Sequence, residues 1–427
     1  MRNIWKDGIF GVVTGDALGC PVQFEDRSEV AKHPVRYMRG NGTFNLPAGT
    51  WTDDSSLTLA LLDSICETGE LNLKHIMGNF VDWLDNGSYT PYGYAFDIGD
   101  GTIRAITAYK HKGKPKHCGG TSEWNNGNGS LMRIIPACLY CYQKNLKREE
   151  AIREIHSVGS LTHAHIRANI ACGLYYFMIQ SILDNQDKLA ERMQKGLDHG
   201  FAFYEKKLAD HENLLYYDRI RNLEQFAQTP AEKIRSSGYV VDTLEAAIWS
   251  LITTNSFEDA LLKAVNLGND SDTVGAICGG LAGLFYGFEE IPRQWTQEIK
   301  KQEWIEQLCE KANQVIEPLP RFRILSRELR KEGLDDDLIE QVIQDEIKCI
   351  ETDEDHTVIY TAARKIWEMW PEERRNQNLQ KIYCSKCKCM TSYASGYTIV
   401  YRLNSPTHLI LKGKCITCGE EIYHFCE

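Results

Sequence analysis

Four glycines recur at every fourth position of one apolar stretch, Thr273 to Phe288: Gly275, Gly279, Gly283 and Gly287. On an α-helix this spacing lines them along one stripe. Glycine costs a helix about 1 kcal/mol per position relative to alanine. A stripe of it is therefore expected where another backbone comes too close to leave room for side chains. The stretch calls for a helical fold with a very tight helix crossing. It is also too short to span a bilayer and follows directly on Asp270 and Asp272.

The sequence up to about residue 320 agrees. Apolar residues recur at three- and four-residue spacing in SLTLALLDSI (56–65), HIRANIACGLYYFMIQSIL (165–183) and DTLEAAIWSLI (242–252). Strand-like alternation is scarce there, so an all-α domain is expected over 1–320. Its 43% apolar content across 427 residues is enough for a sizeable core and for two or three domains. EPLPR (317–321) breaks the periodicity with two prolines and marks a boundary. Residues 321–378 read as a charged helical spacer, through DDDLIEQVIQDEI (335–347) and TVIYTAARKIWEMW (357–370). Residues 379–427 change character again: SYASGYTIVYRL (392–403) and THLILKG (407–413) are rich in β-branched and aromatic residues and read as short strands.

At the N-terminus, Lys6 and Asp7 interrupt any signal-peptide pattern. Cys20, Cys66, Cys138, Cys141, Cys172 and Cys278 sit in apolar or helical patterns, as reduced thiols do. A cytoplasmic protein with no membrane association is expected. The net charge of −11 argues against the whole chain binding a polyanion. The basic run YKHKGKPKH (109–117) reads as a solvated loop.

Two acidic motifs stand at the entries of expected helices. GTWTDDSSLTLALL (49–62) offers Thr52, Asp53 and Asp54; GNDSDTVGAICGG (268–280) offers Asp270, Asp272 and Thr273. Either alone reads as an ordinary helix start, with Thr52 as N-cap and acids favoured by the macrodipole. Together they form an all-oxygen set whose carboxylates would repel unless a cation neutralised them. Hard ligands of this kind suit Mg²⁺ or Mn²⁺, and four carboxylates balance two divalent ions, about 3.5–4 Å apart in a two-metal site.

Five ordered stretches resemble the ADP-ribosylglycohydrolase family: GVVTGDALGCPVQFE (11–25), GTWTDDSSLTLAL (49–61), NGNGSLMRIIP (126–136), LTHAHIRA (161–168) and the run from GYVVDTLEAAIW (238–249) to AVNLGNDSDTVGAICGGLAGLFYG (264–287). The resemblance implies a compact, orthogonal, all-α fold with a two-metal centre. Thr52, Asp53, Asp54, Asp270, Asp272 and Thr273 would be its ligands, and Asp53 or Asp272 the base acting on water. It further implies a substrate carrying ADP-ribose on a protein side chain, or alternatively on nucleic acid or a small molecule. Asn128, Gly129 and Ser130 would approach its diphosphate and ribose, His163 would contact it, and Asp97 would lie near the leaving group. Many members carry glutamate where this chain has Gln23, and Glu25 lies two positions on. Gln23 cannot act as a base, so a binder that has lost turnover is the alternative in a different class.

The tail carries two C-x-x-C pairs, Cys384 with Cys387 and Cys415 with Cys418, flanking the strand-rich segment. This is the spacing of a zinc ribbon, with Cys389, His424 and Cys426 as spare ligands. Six Lys/Arg against three acids, with Tyr393, Tyr397, Tyr401 and Tyr423, are compatible with a nucleic acid or acidic protein partner.

Overall fold

A computed structural model of the protein describes residues 3–185, 187–207, 211–316, 358–359, 367–368, 370–380, 382–402 and 409–426. The chain separates into two compact units, Met1–Glu317 and Pro318–Glu427. Among the described residues the first contains twelve helices of nine residues or more: α1 (Ile4–Gly19), α2 (Asp53–Thr68), α3 (Leu73–Asn86), α4 (Asp100–Lys112), α5 (Ile135–Gln143), α6 (Arg148–Gly159), α7 (Ile166–Asp184), α8 (Leu189–Lys207), α9 (Val240–Ile252), α10 (Phe257–Val265), α11 (Ser271–Tyr286) and α12 (Gln302–Val315). The stretches with helical periodicity in this unit form helices, and no described helix is long and apolar enough to cross a membrane.

The glycine stripe does what its spacing implies. Helix α11 crosses α1 so closely that a Cβ on Gly279 would lie 2.1 Å from the Gly11 carbonyl oxygen, and one on Gly283 2.1 Å from that of Asp7. A Cβ on Gly15 would lie 1.9 Å from the Gly275 oxygen. The two backbones are thus in direct contact, with glycines contributed by both helices. Gly287 takes no part: it ends α11 at φ 96° with its N–H on the Gly283 carbonyl. Helix α11 is buried from Ser271 to Leu284 and packs against α7, α9 and α10 as well as α1. It is the central rod of the unit, and its N-terminus carries the second acidic motif.

The basic run differs from expectation in part. Tyr109 to Lys112 complete the last turn of α4, and the loop begins at Gly113, whose N–H bonds the Tyr109 carbonyl at 2.7 Å. Basic residues at a helix C-terminus are stabilised by its dipole, which favours continuing the helix.

In the second unit, strands β1 (Val358–Ile359), β4 (Tyr393–Arg402), β5 (Leu409–Cys415) and β6 (Glu421–Phe425) form an antiparallel sheet in the order β1-β4-β5-β6, while β2 (Tyr383–Cys384) pairs with β3 (Cys389–Met390). The two long strands match the sequence reading. Val358–Ile359 does not: inside a stretch read as helical, these two β-branched residues pair with Tyr401 and Arg402. A helix, α13 (Glu372–Gln380), precedes β2. The stretch 335–347, read as part of the charged spacer, lies outside the described residues.

Candidate active site

The entry of α2 is built by a residue from another helix. Thr52 occupies the N-cap position, yet its own side chain makes no cap bond. Instead, the Asp16 carboxylate of α1 accepts from Thr52 N at 3.0 Å, Ser55 N at 3.0 Å and Ser55 Oγ at 2.6 Å. This satisfies two of the orphan backbone donors of the first turn and releases the Thr52 hydroxyl for other work. Its Oγ1 lies 3.3 Å from both Asp54 Oδ2 and Asp272 Oδ2. The sequence reading had assigned the cap to Thr52 and missed Asp16. A lone acid within the apolar VVTGDALG of α1 was the available signal.

The entry of α11 is clamped on the same helix end. Ser271 Oγ donates to the Gly19 carbonyl at 2.9 Å, and Asp270 N to the Ser236 carbonyl at 2.9 Å. Phe24 N bonds Asn269 O at 2.6 Å while Asn269 N bonds Glu25 O at 2.7 Å. The α1–α11 crossing and these clasps bring the two acidic motifs together. Thr273 Oγ1 donates to Asp54 Oδ2 at 3.2 Å, across 219 residues of sequence.

The resulting cluster is all oxygen and nearly dry. Asp53, Asp54 and Asp272 are 6%, 1% and 0% exposed. Among the described residues, Asp54 Oδ1 and Asp272 Oδ1 have no hydrogen-bond partner. Burial, and then the neighbouring carboxylates, push Asp53, Asp54 and Asp272 well above the usual carboxylate range. Burial pushes Asp270 up to about 6, and Asp16 up to about 7 against the pull of its hydrogen bonds. Buried carboxylates with orphan oxygens are unfavourable unless they are protonated or neutralised. Hard oxygen donors in this state fit Mg²⁺ or Mn²⁺.

Over the cluster opens a cavity of about 370 Å³. Asp53, Asp54, Asp270 and Thr273 line it, and Thr52 and Asp272 are not among its lining residues. The turn Gly127–Gly129 and His163 also line it, with Phe24 and Trp124, 65% and 95% exposed, at its margin. Asn128 donates to Asp270 and to Thr243 Oγ1, and its N–H is taken by the Gly238 carbonyl. Ser130 departs from expectation: it is fully buried, with Cys172 Sγ 3.7 Å from its hydroxyl, and it does not line the cavity. Asp97, held at φ 54°, lines the cavity, with Gln23 and Asp272 as polar neighbours that favour its charged form against the effect of burial. Gln23 is buried, lines the cavity and acts on Asp270 in the same way, whereas Glu25 is not among the lining residues.

In the second unit the Sγ atoms of Cys384, Cys387, Cys415 and Cys418 all lie within 4.8 Å of one another. Cys384 Sγ is 3.6 Å from Cys418 Sγ, and Cys387 Sγ 3.9 Å from Cys415 Sγ. The Thr391 hydroxyl, 3.3 Å away, holds the Cys415 thiol down at about 6. The spare ligands stand apart from this set: Cys389 is exposed, Cys426 is buried beside β5, and His424 Nε2 faces Asn378 Oδ1 at 3.4 Å. Tyr393 donates its hydroxyl to the Leu411 carbonyl at 2.7 Å and packs on Tyr397, so it serves the sheet.

Known proteins match this arrangement over the first unit. The model of the ADP-ribosylglycohydrolase family matches residues 3–320. The chain is 32% identical to ADP-ribosylarginine hydrolase Tri1 of Serratia proteamaculans over 305 residues, covering 71% of this chain and 77% of the relative. It is 29% identical to the ADP-ribosyl-[dinitrogen reductase] glycohydrolase of Rhodospirillum rubrum, covering 68% and 87%. Among solved structures, an ADP-ribosylglycohydrolase-related protein complex superposes with a TM-score of 0.59 at 28% identity, covering 74% of this chain and 98% of that one. With the helical fold, the converging acid motifs and these matches in agreement, the chain belongs to the ADP-ribosylglycohydrolase family.

Proposed function

We propose that the protein hydrolyses the bond between ADP-ribose and a modified protein side chain, with arginine as the side chain. The observation that carries this reading is the buried oxygen cluster with two orphan carboxylate oxygens, set beneath a cavity large enough for a nucleotide-sized ligand. The arginine linkage rests on the name of the Tri1 relative and on Asp97, a carboxylate at the cavity wall that can pair with a guanidinium.

Thr52, Asp53, Asp54, Asp270, Asp272 and Thr273 would hold two Mg²⁺ or Mn²⁺ ions. Bound there, divalent ions supply the charge that lowers the pKa of water and grips ribose hydroxyls. The protein residues do the rest. Asp53 is the carboxylate that serves as base for the attacking water, because it lines the cavity and Asp272 does not. Asp97, the lining carboxylate outside the metal set, adds negative charge near the positive charge developing at the anomeric carbon. Asp97 pairs with the departing guanidinium, and the Gly127–Gly129 turn and His163 orient the ADP-ribose oxygens.

The four clustered thiols would hold one Zn²⁺ as thiolates, giving the small second unit the staple its core lacks. Its surface would serve a macromolecular partner. The hydrolase reading is tested with Mg²⁺ or Mn²⁺ and a panel of arginine-, serine- and nucleotide-linked ADP-ribose substrates. Release of ADP-ribose from the arginine linkage, lost in Asp53→Asn and after chelation, is expected. Undiminished turnover by that variant or by chelated protein would remove the basis of the mechanism.

A further inference from the structure

Arg133 is fully buried, and among the described residues no carboxylate pairs with it. Its guanidinium lies 4.7 Å from the Phe80 ring centroid, its Nε and Nη1 have no partner among the described residues, and its Nη2 donates to Thr162 Oγ1 at 2.7 Å. A buried cation without a counter-ion is unfavourable, so a purely packing role would be better filled by an apolar residue.

What the guanidinium does is fix a hydroxyl. Arginine can only donate, so Thr162 Oγ1 must accept from it, and the hydroxyl hydrogen is left for the other neighbour, His163 Nδ1, at 2.9 Å. Thr162 is 1% exposed. Were Nδ1 protonated, two N–H groups would meet one hydroxyl whose own hydrogen had nowhere to go, leaving a buried unsatisfied donor. Nδ1 therefore accepts, and the ring's hydrogen resides on Nε2. Burial and the adjacent Arg133 charge hold His163 down at about 3, so the ring stays neutral.

His163 lines the cavity with its Nε2 edge beside the lining residues Gly101 and Gly127, and among the described residues Nε2 has no hydrogen-bond partner. A Cβ at Gly101 would lie 2.7 Å from Nε2, and one at Gly129 2.7 Å from Cε1. Side chains at these positions would cover the edge; glycines leave it open.

We propose that Arg133 and Thr162 are positioning residues that lock His163 in the Nε2–H tautomer, making its Nε2 a hydrogen-bond donor to a ligand oxygen in the cavity. The ligand's identity as ADP-ribose rests on the function proposed above; the lock does not.

The test uses the full chain labelled with ¹⁵N-histidine, with the His163 signals identified by their loss in His163→Asn. Without ligand, Nδ1 is expected to be unprotonated and Nε2 protonated across about pH 5 to 8. In Thr162→Val the tautomer is expected to shift, and Kd for free ADP-ribose and KM for the substrate to rise roughly tenfold with kcat within about twofold. Thr162→Ser restores both. A protonated Nδ1 in the unaltered protein overturns the lock, as does a Thr162→Val protein with tautomer and affinity unchanged. The unaltered protein's spectrum needs no variant to fold and no turnover, so failure of the proposed activity leaves this test decisive.

Discussion

The buried aspartates tie stability to pH in a direction opposite to that of most acidic residues, and divalent ions should reverse it. In metal-free protein, burial raises Asp270 from 3.8 to about 6 and Asp16 to about 7, and burial with the neighbouring carboxylates holds Asp53, Asp54 and Asp272 well above the usual carboxylate range. Between the unfolded and folded values the native state holds more protons than the unfolded chain, so stability falls as pH rises. For Asp270 alone, 3.8 to about 6 corresponds to roughly 3 kcal/mol at 1.36 kcal/mol per pH unit. Coupling among the acids spreads the loss over a wider range. Bound Mg²⁺ or Mn²⁺ competes with those protons, so it should stabilise strongly at pH 8 and weakly at pH 5.

Hydrogen exchange on peptides from Asp53–Thr68 and Ser271–Tyr286 reads this locally, separately from the cysteine unit. Protection in chelated protein should decline from pH 5 to 8 after correction for intrinsic exchange, and added Mg²⁺ should restore it at pH 8. Stability that is flat or rising with pH in chelated protein, or equal stabilisation by Mg²⁺ at both pH values, would refute the reasoning.

Three further outcomes are expected. Gly279→Ala places a methyl 2.1 Å from the Gly11 carbonyl oxygen, so overpacking of about 1–3 kcal/mol or more should outweigh the ~1 kcal/mol gain in helix propensity; a urea midpoint at or above that of the parent would contradict this. Asp16→Asn puts an amide donor or a lone oxygen where two oxygens now receive Thr52 and Ser55, and should cost about 1–2 kcal/mol and weaken Mn²⁺ binding by calorimetry; unchanged affinity would show that the cap does not organise the site. Cys415→Ser should abolish zinc binding by elemental analysis while hydrolysis of a small ADP-ribosyl substrate persists; retention of stoichiometric zinc would point to a ligand set other than the four clustered thiols.

Helix after helix was legible because apolar spacing reports local geometry, and the glycine stripe even announced a crossing. Its partner was less visible, because the glycines of α1 fall at mixed three- and four-residue intervals. The two acid motifs could be paired because their chemistry is incomplete apart. Asp16 was missed because its role exists only after α1 meets α2: nothing in the spacing of Asp16, Thr52 and Ser55 links them. Ser130 shows the converse limit, for of two adjacent residues in one glycine turn Gly129 lines the cavity while the Ser130 hydroxyl is buried against Cys172. Val358–Ile359 form a strand because β4 offers them an edge, a tertiary circumstance that helical periodicity cannot report.

Anomalous diffraction from crystals grown with Mn²⁺ tests the central claim most directly. Two manganese peaks are expected among Thr52, Asp53, Asp54, Asp270, Asp272 and Thr273, with the orphan oxygens of Asp54 and Asp272 turned onto them. A map with no anomalous density there, at manganese concentrations that support turnover, would contradict the account.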